Sequence, residues 1–237
     1  MDGYKGQADP FSSNSEYNAQ VFLINQVLRK CNTTTLVKII SCTNAGALSP
    51  VGFVDVQPLV NLVDGSGNAQ EHGIIYHCLY FRMQGGGNAV IMDPVVGDIG
   101  ICSFADRDIS SVKVNKRASN PGSARRFDFS DGIYLGGVLN GTPTQYIQYS
   151  AAGIKISSPT LVNLVAPDVQ INATSVEINA TTLSISAITS VGITTPLLTV
   201  TGNQVVTGTL TNGTKNVGST HTHTGVTTGI GTTGAPS

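Results

Sequence analysis

Charge is scarce in this chain and almost vanishes toward its end. Only 11% of the 237 residues are charged and the formal net charge is −1. From Thr160 to Ser237 the charged side chains are Asp168, Glu177 and Lys215. So near-neutral a balance argues against a nucleic-acid-binding protein, which carries a basic patch. Arg29, Lys30, Lys113, Lys116, Arg117, Arg125 and Arg126 are scattered through the first half with acidic residues between them, and read as a solvated surface. Long apolar runs are missing too. Nothing is long enough to span a bilayer, and Met1-Asp2-Gly3-Tyr4-Lys5 lacks the apolar core of a secretory signal, so synthesis in the cytosol is expected. The four cysteines, Cys31, Cys42, Cys78 and Cys102, form no C-x-x-C pair and are expected as small, reduced, buried apolar residues. Gly85-Gly86-Gly87-Asn88 is followed by no Gly-Lys-Ser/Thr, which leaves a hairpin turn rather than a phosphate loop.

What is present divides in two. Residues 1–13 read as a loose arm. Val21, Phe22, Ile24 and Leu28 predict an amphipathic helix over Ser15 to Cys31, capped by Asn14 or Ser15. Strand signals follow at Thr34–Ser41, Val51–Val60, Gly73–Met83, Ala89–Met92 and Asp98–Ala105. Five short strands with one helix fit a small OB-type barrel over residues 14–115, with a sandwich as the competing architecture. The polar stretch from Asn115 to Gly132 marks a boundary. Residues 116–150 are then a connecting region that carries the first strands of a rod, at Ile133–Leu139 and Thr144–Tyr149.

The rod is written as a repeat. Val169-x-Ile171-x-Ala173, Val176-x-Ile178-x-Ala180 and Leu183-x-Ile185-x-Ala187 superpose at a spacing of seven. A coiled coil places apolar residues three and four apart among good helix formers. Here they stand two apart among Ser, Thr, Asn and Val, which is strand geometry. One chain has little to bury these rows against, whereas a closed bundle of identical chains covers them and pairs their edges. The expected fold is therefore all-β: an OB barrel with a short helix, then an intertwined trimeric β-helix over residues 151–218 with a tip at 219–237.

That tip holds His221 and His223. On an extended strand, residues two apart project from the same face. Two nitrogens from one chain make a poor site, but three chains meeting on an axis supply enough to saturate an octahedral ion. A saturated ion is structural, because catalysis needs a vacancy for water or substrate. His72 and His77 lack such geometry and read as surface or barrel residues.

The stretch His221-Thr222-His223-Thr224-Gly225-Val226, followed by Gly229, Gly231, Thr233-Gly234 and Pro236, resembles the tip of central spike proteins from contractile bacteriophage tails. Phe53-Val54-Asp55-Val56-Gln57-Pro58-Leu59-Val60 and Pro94-Val95-Val96-Gly97-Asp98-Ile99-Gly100 resemble parts of the OB domain of such spikes, and the likeness covers most of residues 20–237. The resemblance implies a homotrimer in the virion, at the distal end of the tail baseplate. It implies contacts with tail tube or baseplate hub proteins, and one iron ion per trimer held by His221 and His223 of all three chains, with further axial ions allowed. Ligand chemistry does not select iron, since imidazole suits zinc, copper and nickel as well. The implied work is mechanical: perforation of the host outer membrane when the sheath contracts.

Three alternatives stand beside that reading. One is a trimeric receptor-binding fibre or adhesin, although such fibres end in an enlarged head and no aromatic residue follows Tyr149 here. Another is the puncturing tip of a related secretion system. The third is an enzyme, but carbohydrate cleavage needs paired carboxylates and the rod offers only Asp168 and Glu177. Asp93, Asp98, Asp106 and Asp108 lie near expected turns, where Asp is common for backbone reasons, and nothing matches the lysozyme domain that some spikes carry. No enzymatic activity is expected.

Overall fold

The computed structural model describes residues 11–64, 66–218, 221, 225 and 229. The chain divides into two units, one up to Val165 and the other from Ala166. The first begins with helix α1, Glu16–Leu28, at the predicted place. Ser15 is its N-cap, and the hydroxyl accepts from Asn18 N at 3.1 Å, satisfying an amide that the helix itself cannot pair.

Strands β1 (Thr34–Cys42) and β2 (Phe53–Pro58) follow, then a two-residue ladder of β3 (Leu62–Val63) with β4 (Ala69–Gln70). Next are β5 (Ile75–Tyr80) and a small hairpin of β6 (Gln84–Gly85) and β7 (Asn88–Ala89), turned by Gly86 at φ 57°. After β8 (Ile99–Phe104) come helix α2 (Ser110–Asn115), a single 3₁₀ turn over Phe129–Asp131, and β9 (Gly132–Gly137). Five of these strands close a barrel in the order β1-β2-β5-β9-β8. All neighbours are antiparallel except β5 and β9, which pair in parallel at Leu79↔Ile133 and Tyr80↔Tyr134. The protein is thus all-β with an OB-fold-like barrel. Alternation along the strands points Val37, Ile39, Val54, Val56, Cys78, Cys102, Phe104 and Tyr134 inward to one core.

The barrel uses a different fifth strand from the one expected. Ala89–Met92 contributes only the return of the glycine hairpin, and the closing strand is Gly132–Gly137, in the stretch read as connecting region. A parallel closure forces this, because two parallel strands need a long crossover between them. Residues 81–131, which include the β6–β7 hairpin, β8 and α2, supply that crossover, so the barrel runs past residue 115.

Closure also needs two glycines without side chains. A Cβ on Gly100 would lie 2.2 Å from Gly136 O and 2.3 Å from the Tyr134 hydroxyl; one on Gly132 would lie 2.9 Å from Cys78 Sγ and 3.1 Å from Cys102 Sγ. Cys78 and Cys102 are buried as anticipated, while Cys31 and Cys42 are half-buried; all four thiols are free.

Downstream, β10 (Tyr146–Ser150) and β11 (Gly153–Ser157) form a hairpin. No strand then forms until β12 (Thr211–Asn212) and β13 (Lys215–Asn216). Every residue from Pro159 to Leu210 is exposed. The repeat residues Ile171, Ile178 and Ile185 stand 72%, 65% and 67% exposed. A single chain therefore builds no β-helix from residues 158–210; the expected solenoid has no intrachain form.

Gly100→Ala should destabilise the barrel by roughly 1–3 kcal/mol, the usual range for overpacking, because a backbone carbonyl blocks the added methyl. Urea melts followed by tyrosine fluorescence measure this. An unchanged midpoint would mean that β8 and β9 separate at no cost.

Candidate metal centre

His221 follows directly on the β12–β13 hairpin. That hairpin turns through Gly213 at φ 61°, in a two-residue loop that favours glycine first. Val217 N donates to Leu210 O at 2.9 Å, and Gly218 N to the Asn216 side chain at 2.9 Å. His221 N then donates to Gly218 O at 3.1 Å, so the chain turns at Gly218 and holds the histidine against it.

The ring of His221 adds a tautomer. Its Nδ1 lies 2.7 Å from Gly218 O. A carbonyl oxygen only accepts, so Nδ1 carries a proton, and the neutral form of the ring then has its lone pair on Nε2. Metal-binding histidines show this arrangement, with the non-ligating N–H fixed on a carbonyl or carboxylate. The side chain is exposed. His223, the second expected ligand, lies outside the described residues. Among the described residues of one chain, no group of three or more His, Cys, Asp or Glu is placed to hold a metal.

The remaining histidines sit on the barrel. His72 is half-buried with its ring edge-on to Phe129, centroids 5.4 Å apart, and His77 is exposed against Phe53 at 5.6 Å.

The structure's strongest electrostatics are in the first unit, where sequence reasoning saw only turns and surface. Arg82 and Asp93 form an ion pair with each side chain 2% exposed. Arg82 Nη1 also donates to Ser49 O at 2.7 Å, while Asp93 accepts from the Tyr80 hydroxyl at 2.7 Å and from Gly46 N at 2.8 Å. Burial alone would raise the Asp93 carboxyl, but these donors outweigh it and hold it below the ordinary carboxylate value. In the second network, Arg125 donates to Asp131 at 2.7 and 3.0 Å and to Asp108 at 2.8 Å. Asp108 further accepts from Ser110 N at 2.9 Å and from the Ser123 hydroxyl at 2.7 Å. Hydrogen bonds from Ser110, then Ser123, then the Arg125 charge, bring Asp108 down to about 2.

Arg125 is thus a bridge inside the crossover, not a solvated surface charge. Asp98 and Asp106 are as expected: Asp98 accepts from Val95 N in a turn at 2.9 Å, and Asp106 meets Arg107 at 3.7 Å in solvent. No pairwise sequence signal marks Arg82 for Asp93 or Arg125 for Asp131. Each pair exists because the barrel brings distant turns together. The first network ties loops to β5 through Tyr80, the second ties the loop around Ser123 and Arg125 to the start of α2 and to the 3₁₀ turn, and their carboxylates are already engaged by arginine.

Asp108 titrates near 2 in the folded chain and near 3.9 when unfolded. Its stabilisation is therefore complete above about pH 4 and disappears as pH falls through about 2. The denaturation midpoint should fall across that window, and Asp108→Asn should lower the midpoint at pH 7 and flatten the fall. Identical acid slopes for the two proteins would place the sensitive carboxylate elsewhere.

The chain matches no protein-family model, and a search of curated proteins returns no match.

Proposed function

We propose that the chain is the subunit of a homotrimeric, membrane-piercing spike at the tip of a contractile tail, with a structural metal ion at its point. The observation that carries the reading is the uniform exposure of residues 159–210 in the isolated chain. Apolar rows two apart and seven-residue repeats are strand patterning without a strand partner. Identical copies supply one: each chain's edges pair with the next, and the Ile171, Ile178 and Ile185 rows become an interior.

The β10–β11 hairpin supports the same reading. Ile147 pairs with Ile156 and Tyr149 with Ile154, and all four side chains are between 58% and 76% exposed. A lone two-stranded hairpin is marginal in water, and its bare face has the apolar character of the repeat that follows it.

At the point, His221 fits a metal, with its Nδ1–H on a carbonyl and Nε2 carrying the lone pair. With His223 it would hold iron jointly with the other two copies, and the ion would cross-link the three chains. The ion's part is mechanical, with no reaction assigned. The near absence of charge after Thr160 lowers the cost of entering a bilayer. Host outer membrane and baseplate hub or tail tube proteins are the partners in this reading, with no nucleic acid and no enzymatic step.

Elemental analysis tests the point: one iron per three chains is expected. Changing His221 and His223 together to Ala should abolish the bound metal and leave the native mass unchanged, because the rod buries far more than the ion binds. A monomeric double variant would overturn the self-sufficient rod. Ile178→Asp should prevent assembly by placing like charges together in the interior. A soluble trimer from it would put Ile178 on the outside.

A further inference from the structure

Helix α1 has no buried residue. Among its apolar residues, Tyr17, Val21, Ile24 and Leu28 are spaced four, three and four, while Phe22 lies on the opposite side and is half-buried together with Asn18, Ala19 and Gln26. That spacing is the seam of a coiled coil, with Tyr17 and Ile24 at d and Val21 and Leu28 at a. The four are between 38% and 73% exposed, and Leu23 and Val27 beside them are 62% and 64% exposed. Thirteen residues are too few to hold a helix in water on propensity alone. The helix is formed and capped, yet none of its side chains is buried by the chain's own barrel.

We propose that the α1 helices of three copies pack in parallel as a short three-helix bundle, a second clamp on the assembly besides the rod. The proposal rests on the trimeric reading above and adds an interface to it. Three observations select identical copies over a different partner. First, the seam is self-complementary, since a and d knobs fit the holes of a helix with the same seam. Second, leucine at a with isoleucine at d, here Leu28 and Ile24, favours assemblies larger than dimers, and Val27 at g widens the contact. Third, the helix carries one charge, Glu16 in its first turn, so it has no e or g charge pattern with which to select a foreign helix. Like the β10–β11 hairpin and the repeat, it presents an apolar face that its own chain leaves bare. Association of like chains covers all three faces, whereas a foreign partner would have to match each separately.

The test is covalent trapping in the full chain. With Cys31 changed to Ser to remove the nearest thiol, Ile24→Cys puts a thiol on the seam and Ala19→Cys puts one on the opposite side of the helix. After mild oxidation with copper phenanthroline, Ile24→Cys should run as a cross-linked dimer on a non-reducing gel, while its native mass stays that of a trimer. Ala19→Cys should remain uncross-linked at the same native mass. A native trimer in which Ile24→Cys fails to cross-link, or in which both variants cross-link equally, overturns the helix bundle and leaves the trimeric rod standing. A monomeric native mass for the parent chain overturns both.

Discussion

Apolar side chains that alternate along a strand stabilise a protein only when another surface covers them, and between Pro159 and Leu210 this chain covers none of its own. The part of the chain beyond the barrel is organised around that constraint. The sequence avoids the usual remedy, which is to place charge on an uncovered edge, and keeps Ser, Thr and Asn between the apolar rows instead. In the proposed trimer, three copies would cover these rows and would bring the histidine pairs of three chains together into one donor set.

The barrel follows a different logic. It is sufficient within one chain, with a closed strand order, a single apolar core and two arginine–carboxylate networks that fix its loops. Removing one partner of a buried pair exposes the other to a large desolvation cost, so these networks specify loop position more than they add net stability. In the proposed spike such a base would resist shear, because Arg82 holds loops to β5 through Tyr80 and Arg125 holds the crossover loops to one another.

Elements defined by local pattern were readable directly. The spacing of Val21, Phe22, Ile24 and Leu28, with Asn14 or Ser15 before it, located α1; alternation located β1, β2, β5 and β8; the glycine run located its hairpin. Long-range pairing was not readable. The closing strand Gly132–Gly137 joins β5 across a crossover of some fifty residues, and periodicity is silent about which strand completes a barrel. The ion pairs were missed for the same reason: Asp93 and Asp108 do occupy turns, as composition suggests, but their arginine partners are set by tertiary closure. At the tip, the contact of His221 with Gly218 O came only from the structure, while the proposal that His221 is a ligand rests on its spacing to His223.

The most direct measurement is the native mass of the purified full-length chain by sedimentation equilibrium over a range of concentrations. A mass of three chains, unchanged on dilution, is the expected result, because apolar surface spread along the whole rod binds too tightly to dissociate at micromolar concentration. A soluble monomer at the same concentrations would contradict the trimeric spike, since one chain would then be leaving its entire repeat in water.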